Sequence, residues 1–192
     1  MNYKFSTKAR TLDQIKFALK NACIPKLFFF NLKTWKNNKN LCLEQIHENF
    51  KDTPLIIRSS ATNEDNLRKS NAGKYLSLFN INKYNIEEAI ERVFKSYEID
   101  HDKDEILVQP MLKNVIRSGV IFSHDPNTCS PYRVINWSES QDTTLVTSGY
   151  GGKTWISAAG NKRKCPKKIE ELLKLLDELL LIFKNSPIDC EF

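Results

Sequence analysis

An arginine that ends an apolar, strand-like run, followed at once by hydroxyl residues and acids, is the part of this chain best suited to chemistry. It reads Leu55-Ile56-Ile57-Arg58-Ser59-Ser60-Ala61-Thr62-Asn63-Glu64-Asp65. A second part, Ser70-Asn71-Ala72-Gly73-Lys74-Tyr75-Leu76-Ser77, opens another alternating run that ends at Ile81. Arginine offers a rigid fork of N–H donors that matches phosphate oxygens. Ser59, Ser60 and Thr62 add hydroxyls and backbone N–H groups, and Gly73 lets a ligand approach the backbone because it carries no Cβ. Together these make a candidate polyphosphate site. Taken alone, the same residue types suit an ordinary exposed loop equally well.

Several elements must hold such a site. Ser6 and Thr7 suit a helix N-cap, and Asp13 to Lys20 reads as an amphipathic helix with Leu12, Ile15, Phe17 and Leu19 apolar. Phe28 to Phe30 is a continuous apolar run and predicts a buried strand. Trp35 to Phe50 reads as a connecting helix with Leu41, Leu43, Ile46 and Phe50 inward. Asn85 predicts the cap of a helix whose stripe is Ile86, Ala89, Ile90, Val93, Phe94 and Tyr97. Residues 99–105 are charged and read as a loop, in which His101 belongs to a solvated acidic turn. Tyr132 to Trp137 alternates as a returning hairpin strand. Pro166 opens the longest predicted helix, to about Lys184, with Ile169, Leu172, Leu173, Leu176, Leu179, Leu180 and Phe183 on its buried face. At the end, Asp189 and Glu191 occupy alternate strand positions and point to one face.

Composition narrows the class. The 192 residues are 41% hydrophobic and 27% charged, which allows one large domain or two small lobes with a core of useful size. The net charge of +6 suits an anionic partner. The lysines are spread along the chain, however, and the densest cluster, Lys162, Arg163, Lys164, Lys167 and Lys168, is broken by Cys165 and Pro166. Without a concentrated basic stripe interleaved with aromatics, a nucleic-acid-binding module ranks last among the functions weighed. Five cysteines with no CxxC spacing fit reduced thiols rather than a zinc site or disulfide framework. No apolar run reaches the ~18 residues of a membrane span. The expectation is a cytoplasmic protein with no nucleic-acid or membrane partner.

Arg58-Ser59-Ser60-Ala61-Thr62, Glu64-Asp65 and Ser70-x-Ala72-Gly73 resemble the signature of the N-terminal nucleotide-binding domain of the phosphoenolpyruvate synthase and pyruvate phosphate dikinase family, a domain of the ATP-grasp type. Other segments resemble the same family in the same order. Ser6-Thr7-Lys8-Ala9-Arg10-Thr11-Leu12 is similar to its opening Gly-Gly-Lys-x-x-Asn-Leu, with Ser and Thr in place of the two glycines. Ile106 to Leu112, with Gln109, resembles the segment that joins the two lobes and hydrogen-bonds the adenine edge. Pro110 fits that reading, since proline does not sit in a paired central strand. Ser118-Gly119-Val120-Ile121-Phe122-Ser123-His124-Asp125-Pro126 matches a family segment, with His124 where arginine is usual. Pro187-Ile188-Asp189-Cys190-Glu191-Phe192 resembles its closing Asp-Ile-Glu strand. The family's Gly-rich acidic segment is missing; Glu139 or Asp142 is the candidate stand-in.

The resemblance implies an α+β, two-lobed ATP-grasp fold with mixed or antiparallel sheets flanked by helices. The N-terminal lobe would take 1–105 and the C-terminal lobe 106–192. It implies ATP and Mg²⁺ as cofactors. ATP would be bound through Lys8, Arg58, Gly73, Ser77, Gln109 and Glu191, with Lys8 and Arg58 catalytic and Glu191 and Asp189 at the metal. In this family ATP is split to AMP and phosphate, and a phosphoryl group lands on a histidine of a separate swivelling domain before reaching a small acceptor. His47, His101 and His124 lack the Gly-rich Ser-His context of that histidine, and no Gln-x-Arg-Pro strand follows Glu191. The chain is therefore expected to be an N-terminal piece of a longer enzyme, inactive alone, or a truncated relative, with a nucleotide-binding remnant as the alternative. The acceptor would be pyruvate, or glutamine if the chain belongs to the divergent branch linked to capsular phosphoramidate. The opening segment and Asn136-Trp137 through Gly149 resemble that branch.

Overall fold

The computed structural model describes residues 3–62, 65–66, 69–70, 76–97, 102–140, 152–161 and 165–192. In chain order its elements are α1 (Lys8–Ile15), β1 (Phe28–Asn31), α2 (Leu32–Phe50), β2 (Leu55–Ser60), β3 (Asp65–Asn66), β4 (Lys69–Ser70), β5 (Ser77–Ile81), α3 (Ile86–Lys95), β6 (Glu105–Pro110), β7 (Ser118–Phe122), β8 (Tyr132–Ser138), β9 (Lys153–Ala158), a 3-10 turn (Lys167–Ile169), α4 (Glu170–Ile182) and β10 (Asp189–Glu191). They fall into two units. The first holds the described residues of Lys4–Phe17 and Ile24–Leu112, the second those of Met1–Tyr3, Ala18–Cys23 and Lys113–Phe192.

The first unit is built on an antiparallel sheet in the order β1-β6-β2-β5. Successive side chains of a strand point to opposite faces. Phe30, Leu55, Ile57, Ile106 and Val108 therefore share one face, and they join α2 and α3 in a single core. The stripe predicted for α3 is all buried: Ile86, Ala89, Ile90, Val93 and Phe94 within the helix, and Tyr97 just after it. Asn85 does stand at the cap, but its side-chain oxygen accepts from the Asn82 N–H rather than from the helix.

Three helix predictions shift. Helix α1 starts at Lys8, because the Thr7 side chain accepts from the Arg10 N–H and caps it there, and Phe17 is left 91% exposed. Helix α2 starts at Leu32 and is kinked at Asn38, between Asn37 and Asn40, in a run where asparagine lowers the helix propensity. Its inward face is Trp35, Cys42, Ile46 and Phe50, at regular helical spacing on both sides of the kink, and Leu41 is exposed. At 19 residues α2 is the longest helix described; α4 has 13, begins only after the 3-10 turn, and buries Leu175 in addition to Leu176 and Leu179.

The expected lobe boundary after 105 moves to Leu112. The reason is β6, which is not a connector but an inner strand, paired with β1 through Phe28–Asn31 and with β2 over its whole length. Pro110 is tolerated at its end, opposite Leu55, beyond the last residue that β1 reaches, Val108.

The second unit has an antiparallel sheet in the order β10-β7-β8-β9. Helix α4 packs against β7. Glu178 of α4 accepts the backbone N–H groups of Lys20 and Asn21 at 2.7 and 2.9 Å, which ties 18–23 to this unit. Burial raises the Glu178 pKa, but these N–H bonds outweigh it and hold it below the usual carboxylate value. Gly119 exchanges both backbone hydrogen bonds with Phe192, at 3.0 and 3.1 Å. A Cβ there would lie 2.0 Å from the Asn136 carbonyl oxygen and 2.9 Å from the Phe192 ring, so only glycine fits. The five cysteines are free thiols. No helix among the described residues is long and apolar enough to cross a membrane.

Candidate functional site

The second face of the first sheet is the polar one. It carries Arg58 and Ser60 of β2, Glu105 and Gln109 of β6, and Ser77 of β5. Arg58 lies directly opposite Ser77 on one side and Leu107 on the other. The sheet therefore brings together three of the predicted residues, Arg58, Ser77 and Gln109. Opposite β2 the register of β5 shifts, and Asn80 takes a left-handed conformation with φ 57°. Gly73 lies outside the described residues.

The start of α1, where Lys8 lies, is tied to this face. The Ala9 N–H donates to the Ser60 hydroxyl at 2.9 Å. The Thr7 hydroxyl donates to Glu105 Oε2 at 2.5 Å, and Arg10 Nε and Nη2 both reach Glu105 Oε1 at 2.7 Å. The Arg10 guanidinium also lies over the Phe29 ring, 5.8 Å from its centroid. Glu105, Thr7 and Arg10 were not among the predicted residues. The charges of 102–105 read as loop in the sequence, and Thr7 and Arg10 lie more than ninety residues away from Glu105.

The hydroxyls expected to meet phosphate serve the fold instead. Ser59 and Ser60 are 1% and 0% exposed, and Ser60 accepts from α1. The Thr62 N–H and hydroxyl both donate to buried Asp104 at 2.8 Å. Arg58 on this face and Lys8 at the start of α1 are half-buried cations. A separate depression of about 290 Å³ opens on the helix side, between His47, Lys51, Lys83 and Tyr84. It lies on the opposite side of the sheet from Arg58.

In the second unit, Asp189 and Glu191 point from one face of β10 and are exposed, as their alternate positions predict. Cys190 turns the other way, toward Ile121. Burial of its sulphur, ahead of the charges of Asp189 and Glu191, pushes the thiol up to about 12. Glu191 is in register with Val120, and Val120 with Asn136, whose side-chain oxygen is buried with no hydrogen-bond partner among the described residues. These are hard oxygen donors of the kind Mg²⁺ takes. Among the described residues no three His, Cys, Asp or Glu side chains gather into a metal site.

Of the two candidate stand-ins for the family's acidic segment, Glu139 is engaged by lysines. Glu139 accepts from Lys153 and Lys168 at 2.9 Å each, and those bonds hold its pKa near 2. Asp142 lies outside the described residues, as does His101. The ring of His124 is 2.9 Å from the Ser123 hydroxyl, and that hydroxyl accepts the Ile188 N–H at 2.7 Å, just before β10. Asp125 caps its own turn through Thr128 and Asn127, and the Thr128 bonds lower its pKa. The segment 118–126 thus anchors β10 and the turn beyond it.

The family model described as pyruvate phosphate dikinase, AMP/ATP-binding domain, matches residues 36–156. No curated protein matches the chain. Among solved structures, D-alanine–D-alanine ligase from Helicobacter pylori is similar over 100% of this chain and 50% of its own, with 15% identity and a TM-score of 0.51. D-alanyl-alanine synthetase A from Vibrio cholerae is similar over 97% and 50%, with 15% identity and a TM-score of 0.49. The chain spans about half the length of these structures. The fold is α+β, with antiparallel sheets and flanking helices, and is of the ATP-grasp type.

Proposed function

The chain belongs to the family of the pyruvate phosphate dikinase AMP/ATP-binding domain, and on that premise we propose that it binds ATP with Mg²⁺ as the nucleotide-splitting part of a dikinase-type phosphotransferase. The observation that supports this most is the shared sheet face, where Arg58, Ser77 and Gln109 stand together and Ser60 ties down the helix that begins with Lys8. Lys8 and Arg58 contribute positive charge for the phosphates, Arg58 as a two-pronged donor. Ser77 adds a hydroxyl opposite Arg58. Gln109 and Pro110 lie past the end of β1, so β6 presents unpaired backbone there for the adenine edge. Asp189 and Glu191 supply oxygens for Mg²⁺, which when bound neutralises phosphate charge.

In this reading ATP and water yield AMP, phosphate and a phosphohistidine. The histidine belongs to another domain, in cis or in trans, and passes its phosphoryl group to a small acceptor such as pyruvate or glutamine. The chain's own part is to hold the polyphosphate in line and offset its charge. Titration calorimetry tests the binding step. ATP with Mg²⁺ is expected to bind far more tightly than adenosine, and equal affinities would refute the proposal.

A further inference from the structure

The buried carboxylate of Glu105 is costly to place in an inner strand, since its neighbours Ile106, Leu107 and Val108 are all 0% exposed. An apolar side chain would fill the position without a charge to satisfy. What a carboxylate adds is direction. Glu105 Oε2 takes the Thr7 hydroxyl, and Oε1 takes two N–H groups of Arg10. Thr7 and Arg10 flank Lys8 and Ala9, and the Ala9 N–H is held by Ser60, two residues from Arg58. The main chain of Glu105 joins the same network. Its carbonyl accepts from the Tyr97 hydroxyl at 2.5 Å, and that hydroxyl accepts the Ser60 N–H at 3.2 Å.

We propose that Glu105 is a positioning residue for phosphate binding: with Thr7 and Arg10 it fixes the backbone of Lys8 against the strand that carries Arg58. This rests on the reading that Lys8 and Arg58 take the polyphosphate of ATP. Thr7 stands where the family pattern has a glycine, and a glycine has no hydroxyl to give. Arg10 occupies a position that the pattern leaves open. The departure at Thr7 and the residue at the open position, Arg10, meet on one carboxylate, so this chain holds its lysine by side-chain bonds. Arg10 also offsets the charge of Glu105, which would otherwise repel phosphate on the same face.

The test uses the full 192-residue chain, titrated with ATP and Mg²⁺ and, separately, with adenosine. Glu105→Gln keeps the shape and removes the charge; Thr7→Val keeps the shape and removes the hydroxyl. Each is expected to weaken ATP binding about tenfold or more while leaving adenosine binding within about twofold. The double variant should lose less than the two single losses added, because both variants disturb the shared Thr7–Glu105 bond. A lower melting temperature with an unchanged ATP-to-adenosine ratio would show a purely structural role and overturn the inference. If Glu105→Gln fails to fold, Thr7→Val decides alone by the same ratio. Should the unaltered chain itself fail to distinguish ATP from adenosine, the proposed function falls and the inference falls with it. A preserved distinction in both variants overturns the inference only.

Discussion

The two sheets treat their charged residues in opposite ways. In the first, Arg58 sits on an inner strand with partners on both sides, and Glu105 is 1% exposed with its oxygens engaged by Thr7 and Arg10. In the second, Asp189 and Glu191 stand exposed on a three-residue strand that pairs with β7 alone among the described strands. Under the proposed function, the contrast fits what each set would meet. A polyphosphate is bound best by donors already in place, since fixing a long cationic side chain at the moment of binding costs entropy. Mg²⁺ keeps part of its water and needs only one or two carboxylates, so an open edge suits it.

The largest effect should come from breaking the second sheet where it has no slack. Gly119→Ala drives a Cβ into the Asn136 carbonyl, and overpacking against backbone should cost ~3 kcal/mol or more. Amide hydrogen exchange is expected to speed up in β7, β8 and β10 while β2 and β6 keep their protection. Uniform protection in both sheets would show that the strands move apart easily. Arg58→Ala should weaken ATP binding by about 1.5–3 kcal/mol, whereas Lys95→Ala, at the end of α3, should change it little. Calorimetry on both variants checks this, and Arg58→Lys should not restore the loss. In the second unit, Glu191→Gln should raise the Mg²⁺ needed for half-maximal ATP binding on the order of tenfold, with no change in adenosine binding. An unchanged Mg²⁺ requirement would remove β10 from the metal site.

The smallest effect concerns Glu139. Its pKa is held near 2 by Lys168 and Lys153, below the ordinary value for glutamate. A depressed folded-state pKa contributes stability that is present above the unfolded value, and the contribution is lost as pH falls toward 2. Glu139→Gln should therefore flatten the acid limb of the stability curve slightly, and less so in high salt because the pair is exposed. An identical acid limb in the variant would show that the two lysines contribute nothing there.

Much of this was legible in the sequence where a local period carries the signal. The strand that carries Arg58, though it runs on to Ser60, the hairpin strand from Tyr132, the stripe of α3 and the placing of Asp189 and Glu191 on one face all follow from an apolar run, alternation or helical spacing. Local rules failed where a distant partner decides. Glu105 reads as part of a charged loop because only Thr7 and Arg10, brought in by folding, make its burial tolerable. Pro110 reads as a connector because proline disfavours inner strands, yet β1 stops short of it. In α2, Leu41 reads as inward because it is apolar, yet it lies five residues before Ile46, and Cys42, four before it, keeps the stripe.

The central claim is that the polar face of the first sheet takes the phosphates. Hydrogen-exchange mapping of the chain with ATP and Mg²⁺, against adenosine as control, tests it most directly. The account predicts ATP-specific protection in 6–12, 57–60 and 77–81, around Lys8, Arg58 and Ser77. Protection confined instead to the helix-side depression at His47, Lys51, Lys83 and Tyr84, with 57–60 unchanged, would contradict it.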